Sequence, residues 1–228
     1  KTLQRAIQIA GSRSAAITLR GGVYPISSPI TIQRGDLTIQ GFENETVVLS
    51  GGNHFRAEWQ LFRNGIYQTQ VAGQFPIDQL FVNERWQCVA RYPNFDSLAK
   101  FFGGTSADAI QPDRVQRWKN PVGGYVHALH QSMWGSKHYQ IIGKTDDHQL
   151  ILKGGWQENR GGNPDNPDFI GGYHEEYLYV ENIFEELDAP REWYFDEQSR
   201  TLYLMPEENV DLDQADLVTT SCKQLIRV

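Results

Sequence analysis

The first 52 residues are divided into very short segments, and this division limits the possible folds more than any other feature. Strands of three residues are not stable as an isolated hairpin sheet. They can stack as rungs of a solenoid, in which each coil buries its apolar face against the next. The four runs have apolar outer residues and are separated by Gly, Pro, Asn or Asp: Ile17–Leu19, Ile30–Ile32, Leu37–Ile39 and Val47–Leu49. The pattern predicts a coiled β architecture, which usually offers a long groove suited to a polymer.

The segment before these runs has helical periodicity. Leu3–Ala10 is apolar at positions 3, 6, 7 and 10, which fall on one face of a helix. We therefore expect a short helix at the start of the chain.

Three motifs in this region resemble the cap and first coils of the pectin-lyase-like superfamily. They are Ile-Thr-Leu-Arg-Gly-Gly-Val-Tyr at Ile17–Tyr24, Leu-Thr-Ile-Gln-Gly at Leu37–Gly41 and Val-Val-Leu-Ser-Gly-Gly at Val47–Gly52. Two later segments, Leu80–Asn94 and Glu185–Pro206, are similar to glycoside hydrolase family 141. The resemblance implies an all-β chain: the start of a right-handed parallel β-helix with an N-terminal capping helix, interrupted by a mostly antiparallel β insertion. Because this superfamily holds hydrolases, lyases and non-enzymes, it implies fold more than substrate.

The expected organisation has three parts. Residues 1–52 form the cap and first coils, residues 53–212 a β-rich insertion, and residues 213–228 the resumed β-helix. The last segment, Leu217–Val228, ends without a turn or polar cap, and an uncapped solenoid exposes strand edges. We therefore expect a partner at this end, namely the remainder of the β-helix C-terminal to Val228.

Within the insertion, local patterns predict individual elements. Glu192–Phe195 and Thr201–Met205 flank turn residues and predict a hairpin. Val180–Leu187 predicts a helix that ends before a proline, with Glu181 and Glu185 on one face. Arg91 is expected to order a local network of backbone carbonyls or a carboxylate. Insertions of this kind often wall a binding groove.

Charge and composition exclude several classes of ligand. A net charge of −7 argues against nucleic acid as a partner. No run of eighteen apolar residues exists, so no membrane span is predicted.

The chain shows no signal peptide, and the resemblance implies a secreted or periplasmic protein whose targeting segment is absent or removed. Cys88 and Cys222 lie far apart, which favours free thiols over a disulfide.

Five residues are predicted to contact a polysaccharide or oligosaccharide. Sugar rings stack on indole faces, and their hydroxyls need planar or charged hydrogen-bonding groups beside them. Binding groups also tend to lie where strands meet loops on a rigid scaffold. The candidates are His130, Trp134, Trp156, Arg160 and His174. The alternative is that both tryptophans are core residues, since large aromatic side chains are mostly buried.

Three histidines that are close in sequence, His127, His130 and His138, are considered as possible ligands of a metal ion. On a strand His127 and His130 face opposite sides, and on a helix they share one. Their spacing to His138 matches no zinc signature, so we predict substrate-contacting or packing histidines and neither a metal nor another cofactor.

Catalytic residues are not assigned. Hydrolysis of a glycosidic bond needs two carboxyls, roughly 5 Å apart for retention or 6.5–9.5 Å for inversion of configuration. The resemblance implies that these carboxyls come from later coils, beyond this chain. The sequence thus predicts the N-terminal part of a polysaccharide-degrading glycoside hydrolase, supplying cap and groove wall. The alternatives are a polysaccharide lyase and a non-catalytic carbohydrate-binding or adhesion module.

Overall fold

The computed structural model describes residues 2–33, 35–72, 77–155, 172–220, 222 and 224–228. They form two compact units, the first comprising Lys1–Arg56, Gly73–Trp86 and Asp216–Val228, and the second Ala57–Ala72 and Gln87–Ala215. None of the helices in this described part of the chain has the length and apolarity needed to cross a bilayer.

Strands dominate both units, so the predicted all-β class is confirmed. The helices are α1 (Leu3–Ala10) and α2 (Pro112–Val115). The strands are β1 (Ala15–Leu19), β2 (Gly22–Pro25), β3 (Ile30–Thr31), β4 (Leu37–Gly41), β5 (Val47–Ser50), β6 (Gly52–Phe55), β7 (Gln60–Arg63), β8 (Ile66–Gln70), β9 (Leu80–Val82), β10 (Arg85–Val89), β11 (Arg91–Tyr92), β12 (Tyr125–His130), β13 (Ser136–Lys144), β14 (Leu150–Gly154), β15 (Tyr173–Glu181), β16 (Glu192–Asp196), β17 (Thr201–Met205), β18 (Leu217–Thr220) and β19 (Ile226–Arg227).

The first unit begins with the predicted helix. The Thr2 hydroxyl accepts the backbone N–H of Arg5 and caps α1, and Gly11, at a φ of 56°, ends it. The short strands that follow form three parallel pairs, β1 with β4, β2 with β5 and β3 with β19. The buried apolar side chains between them are Leu3, Leu19, Ile26 and Ile30.

The prediction of a right-handed parallel β-helix is wrong. The parallel pairs of the first unit are two-stranded, and the larger sheets are mixed or antiparallel. Strand β18, expected to resume the solenoid, pairs antiparallel with both β6 and β9. The physical reason is that alternation of apolar residues fixes which face of a strand is buried, but not the direction of its partner. The motifs therefore located short strands correctly and assigned them the wrong architecture.

The second unit contains two groups of paired strands. In one, β16 and β17 form the predicted hairpin, β17 pairs antiparallel with β8, and β10 pairs parallel with β16. The other is an antiparallel sheet in the order β11-β15-β12-β13-β14. The helix predicted at Val180–Leu187 is wrong: β15 continues to Glu181, and only Phe184–Glu186 turns, as a 3-10 helix. Burial of Leu178 and Val180 against β12 explains the extended conformation.

The five-stranded sheet has two distinct faces. One is buried under α2 and the loop that follows it, with Trp118, Tyr139 and Val180 inaccessible to solvent. Because successive side chains of a strand alternate, the residues between these point to the opposite face. We call this opposite side the histidine face, defined by Tyr125, His127, His138, Gln140, Tyr179 and Glu181.

The second unit also contains a buried carboxyl group, that of Glu192 on β16. Its Oε2 accepts the backbone N–H groups of Asp188 and Ala189 at 3.1 and 3.2 Å, whereas Oε1 has no hydrogen-bond partner. Burial raises the pKa of this carboxyl from 4.5 to about 8. Glu192 is therefore protonated in the folded chain at neutral pH.

We expect Glu192 to make the protein less stable as the pH rises from 5 to 8. In this range the folded state keeps a proton that the unfolded state releases, so the free energy of unfolding falls, by at most about 5 kcal/mol. Glu192→Gln, which mimics the protonated form, should match wild type at pH 5 and exceed it at pH 8 in urea unfolding. Glu197→Gln, on the exposed turn of the same hairpin, is the control. Equal pH profiles for wild type and Glu192→Gln would contradict the assignment.

Candidate functional site

The register of the five-stranded sheet brings two histidines and an acid together. His127 lies opposite His138 on β13 and opposite Tyr179 on β15. Side chains directly opposite in an antiparallel pair share a face and lie within contact distance. Glu181, two residues beyond Tyr179, is on the same face and pairs with Tyr125.

These side chains form one continuous chain of hydrogen bonds. The distance from His127 Nε2 to Glu181 Oε1 is 2.9 Å, and that from His127 Nδ1 to His138 Nδ1 is 2.5 Å. His138 Nε2, at the end of the chain, lies 3.4 Å from Ser136 Oγ. A carboxylate, two imidazoles and a hydroxyl are thereby aligned across three strands.

Aromatic rings hold His127 in place. Its imidazole is stacked on Tyr179 at a centroid distance of 4.6 Å and an interplanar angle of 18°. Tyr125, on the same strand, is 6.0 Å away at 29°. The His138 ring meets His127 edge-on at 4.8 Å. With so few rotamers left, His127 is a fixed part of the face, while Tyr125 and His138 are exposed to solvent.

Arg91 secures the far side of the face. Its guanidinium lies 4.0 Å from the centroid of Tyr179 and donates to the backbone carbonyls of Pro93, Phe102 and Gly104, each at 2.8 Å. This confirms the prediction that Arg91 orders a local network of carbonyls. The loop carrying Phe102 is thereby fixed against the edge of the sheet.

The electrostatics favour the neutral form of the exposed His138 imidazole. Burial of its inner side and the neighbouring His127 lower the pKa of His138, although Glu181 acts in the opposite direction. Burial also raises the pKa of the Tyr179 hydroxyl. Within the described residues no group of three metal-ligating side chains is assembled. The arrangement can hold hydrogen-bonding ligands and transfer a proton along its own axis.

Three of the five predicted sugar-contacting residues lie at one end of this sheet. His130 ends β12 and packs on Trp134 of the following turn at a centroid distance of 4.2 Å, and half of Trp134 is exposed. His130 is opposite Tyr173, the neighbour of His174. His174 packs on Tyr177 at 4.2 Å.

Two of the five candidates cannot be placed. Trp156 and Arg160 lie outside the described residues. Trp134 is not a core residue, in contrast to the alternative interpretation, and its contact with a sugar stays a prediction.

Sequence reasoning missed the centre of the face. Glu181 was assigned to a helix with Glu185, but it lies on β15, whereas Glu185 accepts the backbone N–H of Lys119 at 2.9 Å. The available signal was the alternation Tyr177, Tyr179, Glu181 on one side and Leu178, Val180 on the other, which is typical of a half-buried strand.

Comparisons with known proteins show a fold and no family. No protein-family model matches the chain, and no curated protein matches it. A solved structure described as a glycoside hydrolase is similar over 99% of this chain, with a TM-score of 0.67 and 19% sequence identity. The match covers 43% of that protein, so this chain spans less than half of its length. The chain therefore has the fold of part of a glycoside hydrolase.

Proposed function

We propose that this chain is the N-terminal part of a polysaccharide-degrading glycoside hydrolase and supplies its sugar-contacting surface. The observation that supports this most directly is the histidine face, which sets an exposed tyrosine beside fixed hydrogen-bonding groups. The likeness to part of a glycoside hydrolase points to the same class of ligand. A secreted or periplasmic location is consistent with a polysaccharide substrate.

The chemistry of the face suits a carbohydrate. A sugar presents an apolar ring face that stacks on aromatic side chains and hydroxyls that need oriented partners. Tyr125 is 38% exposed and offers the stacking surface. The exposed His138 and Gln140 on β13 offer hydrogen bonds next to it. Trp134, half exposed on the turn between β12 and β13, is a second exposed aromatic residue of the same hairpin.

The catalytic carboxyls belong elsewhere in this proposal. Glu181 is the carboxylate of the histidine face, and its Oε1 is engaged by His127. A glycosidase needs one carboxyl to protonate the leaving oxygen and another to attack or to activate water. We place this pair in the part of the enzyme beyond the chain, so that the chain binds saccharide and does not cleave it.

We expect Tyr125→Ala to weaken saccharide binding about fivefold, because one stacking contact contributes about 1 kcal/mol beyond area burial. The assay is a glycan array followed by calorimetric titration, with Trp86→Ala as the control for truncating an exposed aromatic residue elsewhere. Reducing-end release should be at background level for every variant.

Three results would count against the proposal. Absence of binding to any saccharide on the array rejects the carbohydrate ligand. Turnover by the purified chain would place the catalytic pair within it. Saccharide binding by the full-length protein without turnover would instead favour a non-catalytic carbohydrate-binding module.

A further inference from the structure

The hydrogen-bond chain from Glu181 to His138 has a direction. An ionised carboxylate only accepts hydrogen bonds, so His127 must donate to Glu181 through Nε2. In a neutral imidazole one nitrogen donates and the other accepts. When His127 is neutral, its Nδ1 is therefore an acceptor.

The same reasoning assigns the second imidazole. The 2.5 Å contact between the two Nδ1 atoms requires a proton between them, and His127 cannot supply it. His138 Nδ1 is then the donor, which leaves a lone pair on His138 Nε2. This nitrogen lies at the outer end of the chain, on an exposed side chain. The Ser136 hydroxyl, whose Oγ lies 3.4 Å away at the limit of hydrogen-bonding distance, donates only weakly to this nitrogen, so a closer ligand hydroxyl can take its place.

We propose that His138 Nε2 is the acceptor for a sugar hydroxyl in a subsite of the histidine face, and that Glu181, acting through His127, is the positioning residue that fixes this tautomer. This inference rests on the proposed function and adds a specificity to it. Because His138 Nε2 accepts a hydrogen bond at the exposed end of the chain, it favours ligands that donate hydrogen bonds. The hydroxyls of a neutral sugar do so, whereas the carboxylate of a uronic acid only accepts and is disfavoured at this position.

The surroundings of His138 support an uncharged acceptor. The titratable or charged groups on the strands around it include Glu181 and Tyr179 from β15, His127 and Tyr125 from β12, Lys153 from β14 and Arg91 from β11. Glu181 is separated from His138 by His127, and Lys153 is paired with Gln140. Protonation of His138 at acid pH would turn the acceptor into a cationic donor and reverse the preference.

The tautomer can be measured without a ligand. Long-range proton–nitrogen correlation spectra of the whole chain at pH 7.5 should show His138 protonated at Nδ1 and bare at Nε2, and His127 protonated at Nε2. Glu181→Gln should shift His138 towards protonated Nε2, because a glutamine amide can donate to His127. His54→Gln, a histidine paired with Asp216 in the first unit, should leave both spectra unchanged. A protonated Nε2 on His138 in the wild type overturns the assignment.

The subsite is tested by titration with three probes, cellohexaose, xylohexaose and hexagalacturonate. We expect wild type to bind a neutral probe at least about tenfold more tightly than the uronate. His138→Phe should weaken that binding about tenfold, whereas His138→Gln, whose amide oxygen can accept in place of Nε2, should stay within about threefold.

The outcomes separate the two proposals. Neutral-probe binding that His138→Phe leaves unchanged, or equal affinity for the uronate, overturns the subsite while saccharide binding itself stands. A chain that binds no saccharide on the wider array overturns the proposed function and the subsite with it, whatever the tautomer spectra show.

Discussion

Replacing Glu186 by glutamine is expected to lower the free energy of unfolding by about 3–5 kcal/mol. Glu186 is buried, and both of its carboxylate oxygens accept from Arg114 Nη1, at 3.1 and 3.0 Å. The indole N–H of Trp118 donates to Oε1 at 2.7 Å. Removing the negative charge leaves the buried Arg114 guanidinium with Asp108, at 3.3 Å, and the ring of Tyr92 as its partners. Removing one partner of a buried ion pair is strongly destabilising because the other charge is left with less compensation.

The neighbouring residue provides the control. Glu185→Gln removes the same charge one position away, where the carboxylate is less buried and accepts a single backbone N–H. Its cost should stay below about 1.5 kcal/mol in urea unfolding. The double variant Arg114→Met/Glu186→Met should recover part of the loss, because it removes both buried charges together. Equal losses for Glu186→Gln and Glu185→Gln would show that the buried pair contributes nothing specific.

This pair also shows what could be read from the sequence. The sequence pattern places Glu185 on a predicted helix face and gives no sign that Glu186 is buried. The partner of Glu186 lies 72 positions earlier in the chain, and no local pattern connects the two. Local signals worked where the structure is local, in the capped helix at Leu3–Ala10 and in the hairpin of β16 and β17.

The histidine face could not be predicted from the sequence for the same reason, because no local pattern connects its residues. It joins residues from β12, β13 and β15, and its geometry depends on an antiparallel register that alternation alone does not specify. His127 and His138 are close in the sequence, which suggested two alternatives for them, binding a metal or contacting substrate. It could not supply Glu181, because the segment around Val180 has enough apolar spacing to resemble a helix. Burial of Leu178 and Val180 on one face of the sheet, between partly exposed residues on the other, favours a strand.

Replacing Gly155 by alanine is expected to destabilise the second unit by about 2–5 kcal/mol. Gly155 follows β14 with a φ of +86°, a conformation that costs an L-residue roughly 1–2 kcal/mol. An added Cβ would also lie 2.0 Å from Cε1 of Tyr139, whose ring is completely buried. The ring cannot move away without disrupting a close-packed core, and such overpacking costs typically about 1–3 kcal/mol more.

A second glycine separates the two contributions. Gly123 has a φ of +92°, but a Cβ there would meet nothing within 4 Å, so Gly123→Ala should lose only the backbone term, about 1–2 kcal/mol. Thermal unfolding of both variants measures the difference. Gly155 also donates its backbone N–H to the carbonyl of His138 at 2.8 Å, so displacement of this segment should alter the imidazole signals of His138 as well as stability. Equal losses for the two alanine variants would mean that the Tyr139 ring yields freely, and that the sheet under the histidine face is less rigid than its packing implies.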